Sequence, residues 1–173
     1  MTVIAVRKYL KKIILSCDSQ TSWGDSKLTD SKTQLYSNCS KIWENENVVV
    51  GSAGTVKGAT FFKIFTKSRK PSQSDSEGII DYIVDFVEWA KKKQSDFILE
   101  NHFIIIFDKK VYQCVGYDVQ EVPEYNAIGS GMFLALGAMY KGSDPIEAVE
   151  VAKQFDLYCN GKTDTIEVEL KDK

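Results

Sequence analysis

The sequence predicts an α+β fold in which short β-strands and paired helices alternate along one domain. Apolar runs rich in Val and Ile recur between turn-forming residues, which is typical of strands. Other segments repeat apolar side chains every three to four positions, which is typical of helices. With 173 residues the chain has the length of one domain, so we expect residues 1–173 to form a single domain.

In the first half of the chain, strands precede a pair of helices. Residues 2–6 and 13–17 are β-prone apolar runs, and residues 7–12 between them predict the turn of an opening hairpin. Residues 19–40 are rich in Ser, Thr, Asp and Asn, which predicts mostly loop with an edge strand. Residues 47–53 predict a buried strand that ends in small residues.

The middle of the chain predicts the first helix pair and then a hairpin. Residues 55–66 and the more strongly patterned residues 79–90 each carry an apolar stripe at helical spacing. Residues 103–107 and 111–115 are apolar runs on either side of Asp108-Lys-Lys110, which predicts two strands joined by a tight turn.

The last third predicts a strand, a second helix pair and a final strand. Residues 125–128 run into Gly129-Ser-Gly131, and a helix of small residues follows at 132–140. Asp144-Pro145 caps and starts another helix that reaches about Phe155. Residues 165–170 alternate as a strand. This order is typical of a layered α+β domain whose helices come in pairs.

The composition matches an ordinary globular protein, with 43% hydrophobic and 27% charged residues. A net charge of −2 does not favour nucleic-acid binding. No secretory segment and no apolar run of membrane-spanning length is present, so we expect a cytoplasmic protein without membrane contact. Four widely spaced cysteines and one histidine do not indicate a zinc site, and we expect no metal and no cofactor.

Thr2 is the most informative residue, because removal of Met1 would leave it at the chain terminus. There its hydroxyl is a nucleophile, and its α-amine, with an ordinary pKa of about 7.7–8.0, is a general base. Thr2 is small enough for methionine aminopeptidases to cut before it, so we expect Met1 to be removed. The alternative interpretation is that Thr2 only starts a strand.

A resemblance to a known family is carried by six short segments, at residues 2–7, 16–24, 40–42, 50–54, 127–131 and 148–156. In this order they resemble the proteasome β-subunit family, and the bacterial HslV-type and related bacteriophage or ancestral β-subunit proteins are the closest members. The resemblance implies the fold of N-terminal nucleophile hydrolases, a four-layer α-β-β-α sandwich.

The resemblance implies roles for five catalytic residues. Thr2 matches the nucleophile, Asp18 the acidic residue beside it, and Lys41 the lysine next to the threonine. Ser130 matches the serine that hydrogen-bonds the terminal amine, and Asp156 matches the aspartate that orients that serine. A lysine near the amine raises the local positive potential, which favours the neutral amine and the developing alkoxide.

Three further residues are expected to bind substrate. Gly51 matches the glycine whose backbone N–H helps to bind the oxyanion, and Ser22 and Ala53 are expected to line the cleft. The chain departs from the family in three ways that bear on the site, and the first is that Ser22 replaces the common threonine of the cleft. Cys159 stands where many members have a serine, and the segment from Asp18 to the lysine is several residues longer than usual.

Each of these residues also has a simpler interpretation. Asp18 is compatible with a turn or cap, and Lys41 with an exposed charge for which Lys27 and Lys32 are rivals in the same loop. Ser130 is a candidate cap for the helix at 132–140. Asp156 is compatible with a helix end, and Gly51-Ser-Ala-Gly54 with close packing of helix on strand.

Three functions follow from these alternatives. The first is a threonine-type N-terminal nucleophile peptidase, a subunit of a self-compartmentalising protease. The second is a catalytically inactive ring or filament subunit that kept the fold. The third is an amidohydrolase of small amides. The resemblance further implies a homo-oligomeric ring or stack, a peptide or unfolded protein as substrate, and a possible ring ATPase unfoldase as partner.

Overall fold

The computed structural model describes residues 2–23, 26–28 and 40–170, and only the backbone of residues 23 and 26–28. Strands and helices alternate in these ranges. The strands are β1 Ile4–Lys8, β2 Lys12–Asp18, β3 Thr21–Trp23, β4 Ser26–Leu28, β5 Ile42–Asn45, β6 Val48–Ala53, β7 His102–Phe107, β8 Lys110–Val115, β9 Asp118–Glu121, β10 Tyr125–Ile128 and β11 Thr163–Glu169. The helices are α1 Val56–Phe65, α2 Ser76–Lys93, α3 Met132–Tyr140 and α4 Pro145–Phe155.

The chain divides into two compact units. The first combines Met1–Ile42 with Pro123–Lys173, and the second is the inserted stretch Trp43–Val122. The first unit therefore contains both terminal segments, and it holds α3 and α4, whereas α1 and α2 belong to the second. A single domain over residues 1–173 stays a prediction.

In the first unit, an antiparallel sheet with the order β10-β1-β2-β11 packs against α3 and α4. Five alanines take part in this contact together with larger apolar side chains such as Met139 and Val149; they are Ala5 and Ala127 on the strands and Ala135, Ala148 and Ala152 on the helices. The opening strand β1 lies in the middle of this sheet, paired with β10 and β2, and its Ala5 side chain packs against the helices.

In the second unit, a sheet with the order β5-β6-β7-β8-β9 shares an aromatic core with α1 and α2. Phe62 on α1 lies 4.3 Å from Phe103 and 4.6 Å from Phe86, measured between ring centroids, and its ring is tilted against both. Tilted aromatic pairs at this spacing are favourable. Thr55 and Asp75 cap the two helices by accepting from a backbone N–H three residues later.

The element order predicted from the sequence is confirmed, and the differences concern short polar segments. The predicted turn at 7–12 is wrong in extent, because Arg7, Lys8 and Lys12 belong to strands and three residues suffice for the turn. Neither β5 nor β9 was predicted, since each has four residues and few apolar ones. Both lie at the edges of their sheet, where polar residues are tolerated.

No helix in the described ranges has both the length and the apolar character needed to cross a membrane.

Candidate active site

Thr2 lies two residues before β1, which is one of the two central strands of the first sheet. Strand β1 pairs with β2 on one side and with β10 on the other, and both neighbours run antiparallel to it. The register therefore brings the end of β2, which is Asp18, and the residues after β10, which include Ser130, to either side of Thr2. The Thr2 residue is 2% exposed. The fold itself assembles residues that are 16 and 128 positions apart.

The Thr2 hydroxyl contacts a carboxylate and an ammonium group. Thr2 Oγ1 donates a hydrogen bond to Asp18 Oδ1 at 2.5 Å, and Lys41 Nζ donates to Thr2 Oγ1. Lys41 Nζ also forms an ion pair of 2.7 Å with Asp18 Oδ1. The Asp18 side chain is fully buried and that of Lys41 is 12% exposed, so solvent screens their interaction weakly. This arrangement holds the hydroxyl oxygen next to a positive charge, where a developing alkoxide is stabilised.

The buried carboxylate of Asp18 has a partner for each oxygen. Besides the two contacts with Thr2 and Lys41, Oδ1 accepts from the backbone N–H of Val3 at 3.0 Å. Oδ2 accepts from the N–H groups of Gln20 at 3.1 Å and Asn160 at 3.2 Å. A buried charge is tolerated when it is paired and hydrogen-bonded. Since three of the five donors are backbone groups, the orientation of Asp18 is set by the fold as well as by Lys41.

Ser130 lies against the backbone of Thr2. Its Oγ accepts from Thr2 N at 3.2 Å and donates to the Thr2 carbonyl at 3.3 Å, and Gly131 N donates to the same carbonyl at 3.2 Å. Gly129 has φ +95°, and a Cβ there would lie 2.1 Å from the Thr2 carbonyl oxygen. Only glycine therefore permits this close approach. The interpretation of Ser130 as a helix cap is wrong, because Gly131 is the N-cap of α3 and no side chain caps it.

Asp156 is linked to Ser130 through Cys159. Asp156 is the C-cap residue of α4, so its reading as a helix end is correct. The thiol of Cys159 donates to Asp156 Oδ2 at 3.4 Å, and its sulfur lies 3.9 Å from Ser130 Oγ. Burial raises the pKa of Cys159 to about 12, and the carboxylates of Asp18 and Asp156 add to this shift. The thiol thus stays protonated and can donate to the carboxylate at neutral pH.

The remaining predicted residues are on β3 and β6. Ser22 is on β3, and its hydroxyl accepts from Gln20 Nε2 at 3.3 Å. Gly51 and Ala53 are on β6 in the second unit, so their roles in substrate binding stay predictions. Of the two rival lysines, one lies at position 32, outside the described residues, and the other at position 27, where only the backbone is described.

Some site features had no signal in the sequence. The backbone N–H groups that hold Asp18 depend on tertiary folding, and nothing in the residue types of Gln20 and Asn160 indicates them. Cys159 was noticed only as a departure from the family pattern, whereas the structure gives it two contacts.

Among the described residues, no group of three or more His, Cys, Asp and Glu side chains is arranged to hold a metal ion.

No protein-family model matches this sequence, and no curated protein matches it either. Solved structures do match. BPH of Thiobacillus denitrificans, in complex with epoxomicin, has 19% sequence identity and a TM-score of 0.86, with 98% of this chain and 100% of that chain covered. A second structure of Thiobacillus denitrificans BPH has 19% sequence identity and a TM-score of 0.84, with 99% of this chain and 100% of that chain covered. Eukaryotic HslV from Trypanosoma brucei has 20% sequence identity and a TM-score of 0.67, with 96% of this chain and 99% of that chain covered.

These likenesses extend over nearly the whole chain although few residues are identical. They confirm the predicted resemblance to HslV-type proteins at the level of the fold. The chain has the α+β fold of the N-terminal nucleophile hydrolases, as HslV does.

Proposed function

We propose that this chain is a threonine-type N-terminal nucleophile peptidase, with Thr2 as the nucleophile. The observation that carries the proposal is the contact of Thr2 Oγ1 with both Asp18 and Lys41, while Thr2 N contacts Ser130. If Thr2 only started a strand, its hydroxyl would not need a buried ion pair and its nitrogen would not need a serine. Both features suit a hydroxyl that becomes an alkoxide and a nitrogen that becomes a base.

The reaction proceeds once Met1 has been removed. Thr2 Oγ1 attacks the carbonyl carbon of a peptide bond and its proton passes to the neutral α-amine. The tetrahedral intermediate collapses, the C–N bond breaks, and the α-amine returns the proton to the leaving amine. Water then attacks the acyl ester, giving a carboxylic acid and free Thr2. The backbone N–H of Gly51 is the proposed oxyanion donor, and loss of one such donor typically raises the barrier by about 2.7–4 kcal/mol.

Ser130, Asp156 and the Asp18–Lys41 pair have positioning and electrostatic roles in this mechanism. Ser130 accepts one N–H of the α-amine, which directs the amine lone pair. Asp156 accepts from the Cys159 thiol, and the sulfur of Cys159 packs 3.9 Å from Ser130 Oγ and so restrains Ser130. Lys41 stabilises the alkoxide, and Asp18 compensates the charge of Lys41 so that the cation can be buried.

The role of the amine is tested by adding one lysine between Met1 and Thr2, which keeps the methionine in place. The control is the same chain released from a cleavable fusion with Thr2 at its terminus. We expect the control to cleave fluorogenic peptides and the extended chain to lose this activity, because the nitrogen of Thr2 is then an amide and cannot act as a base. Equal activity of both would assign proton transfer to the Asp18–Lys41 pair instead.

The thiol link gives a second prediction. Cys159→Val replaces the thiol by an apolar side chain that is one carbon larger, and it removes the contacts with Asp156 and Ser130. We expect kcat for peptide cleavage to fall roughly 2- to 10-fold with little change in KM, as fits the loss of one hydrogen bond worth about 0.5–1.5 kcal/mol. Cys114→Val is the control, because Cys114 is a fully buried cysteine of the second unit. Equal kcat values for the two variants would refute the link.

The proposed assembly is a homo-oligomeric ring or stack in the cytoplasm that takes peptides or unfolded proteins, with a ring ATPase as a possible partner. Support comes from the fold and from large apolar side chains about three-quarters exposed in the first unit, namely Phe133, Tyr140, Phe155 and Leu157. Such exposed groups are typical of surfaces that another subunit covers. The inactive ring or filament subunit is the alternative, and a retained Met1 in untagged protein together with no peptide cleavage would favour it.

A further inference from the structure

Asn101 is a buried polar residue that neither the mechanism nor the family resemblance uses. It is 1% exposed and directly precedes β7 in the second unit. Its Nδ2 donates to Ser52 Oγ at 3.0 Å and to the Thr55 carbonyl at 2.9 Å. Its Oδ1 accepts from Thr55 Oγ1 at 3.0 Å. One amide group thus holds the end of β6 and the residue that caps α1, on both sides of Gly54.

Two glycines next to Asn101 leave the space that its amide group occupies. Gly54 has φ +140°, and a Cβ there would lie 2.9 Å from Cα and Cγ of Asn101. At Gly58 a Cβ would lie 2.0 Å from Asn101 Oδ1. Gly58 N donates to Thr55 Oγ1 at 3.1 Å, so the first turn of α1 belongs to the same arrangement. Both glycines are needed because Asn101 occupies the space that their side chains would fill.

The contact with Ser52 fixes which way the end of β6 faces. Successive side chains of a strand point to opposite faces. With the Ser52 side chain held by Asn101, Gly51 and Ala53 present the other face of β6. The pairing of β6 with β7 runs from Val49 to Ala53, so this segment is restrained by its neighbour strand and by the amide.

We propose that Asn101 is a positioning residue that holds the Gly51–Thr55 segment in the form that binds substrate. The inference rests on the proposed function, in which Gly51 supplies an oxyanion donor and Ala53 lines the cleft. Asn101 itself touches no substrate. It acts by fixing the backbone on either side of Gly54 and, through this, the peptide preference and the stabilisation of the oxyanion.

The test uses Asn101→Ala and Asn101→Asp in the full chain with Thr2 at its terminus. Aspartate keeps the size of the side chain and loses the two donors to Ser52 and Thr55. Three fluorogenic peptides that carry alanine, phenylalanine or glutamate before the scissile bond are compared. We expect kcat/KM to fall about 10-fold for the best peptide and the ranking of the three to change. Amide hydrogen exchange of residues 51–58 should be faster, and saturating epoxyketone probe should still give one adduct per chain at Thr2.

Asn45→Ala is the matched control. Asn45 is a partly buried asparagine of the same unit, and its Nδ2 donates to Thr66 Oγ1 at 2.8 Å and to the Lys63 carbonyl at 3.2 Å, at the other end of α1. We expect this variant to lose thermal stability but to keep kcat/KM within twofold and the peptide ranking unchanged.

The outcomes separate the inference from the function on which it rests. A wild-type chain that neither cleaves peptides nor forms the adduct would overturn both. An active wild-type chain whose Asn101 variants match Asn45→Ala in kcat/KM and ranking would overturn the inference alone. A changed ranking with faster exchange at 51–58, absent in Asn45→Ala, supports it.

Discussion

The Thr2→Ala variant is expected to lose peptide cleavage by at least about 10⁴-fold, because the only proposed nucleophile is removed. Single removal of a nucleophile from a hydrolase with a comparable acyl-enzyme mechanism costs about 10⁶-fold in kcat. The measurement is the initial rate on fluorogenic peptides, with the mass of each preparation checked for removal of Met1. Alanine is also compatible with methionine removal, so the terminal amine is retained and only the hydroxyl changes.

Thr2→Ser is the matched control, since serine keeps the hydroxyl and its contacts with Asp18 and Lys41. We expect it to retain measurable activity well above that of the alanine variant. The account would fail if Thr2→Ala cleaved peptides at the wild-type rate, because another nucleophile would then be at work.

The second large effect is expected for Asp18→Asn. This change removes the charge that compensates Lys41, whose side chain is 12% exposed, and breaking a buried ion pair from one side typically costs about 3–5 kcal/mol. We expect the free energy of unfolding in urea to fall by an amount at the lower end of that range, and peptide cleavage to be lost with it. Lys41→Met, which leaves the carboxylate of Asp18 buried without its cation, should act in the same way.

The double variant Asp18→Asn with Lys41→Met separates stability from catalysis. Since it leaves no unpaired charge, we expect part of the lost unfolding free energy to return while activity stays absent. Lys12→Met is the control, because Lys12 forms an exposed ion pair of 2.9 Å with Glu167 and such pairs contribute little. If Asp18→Asn were as stable and active as Lys12→Met, the buried pair would not have the role assigned here.

Much of the fold was predictable because apolar runs, small-residue segments and turn-forming residues mark its core elements. The predicted helix at 132–140 and the predicted strand at 125–128 agree with α3 and β10 at both ends. Capping residues made α4 equally clear, since Asp144 accepts from Glu147 N and Pro145 starts the helix. The short edge strands were missed because their few polar residues are paired by tertiary contacts that local sequence does not encode.

The candidate site was predicted from two sources, namely the chemistry of a terminal threonine and the resemblance to the proteasome β-subunit family, which implied Asp18, Lys41 and Ser130. A terminal threonine, an acid at the end of β2 and a Gly-Ser-Gly turn each have a chemical meaning, and the structure brings Thr2, Asp18, Lys41 and Ser130 together. The contacts of the Cys159 thiol and of the Asn101 amide were not predictable in this way. They depend on distances of a few ångströms between segments far apart in the chain.

The central claim is tested most directly by the intact mass of untagged protein before and after reaction with an epoxyketone probe. Epoxomicin is the first choice, since BPH of Thiobacillus denitrificans, which has this fold, was solved in complex with it. We predict loss of Met1 before reaction and one probe per chain afterwards, mapped by peptide sequencing to Thr2. A chain that retains Met1 and forms no adduct would contradict the account and favour an inactive ring or filament subunit.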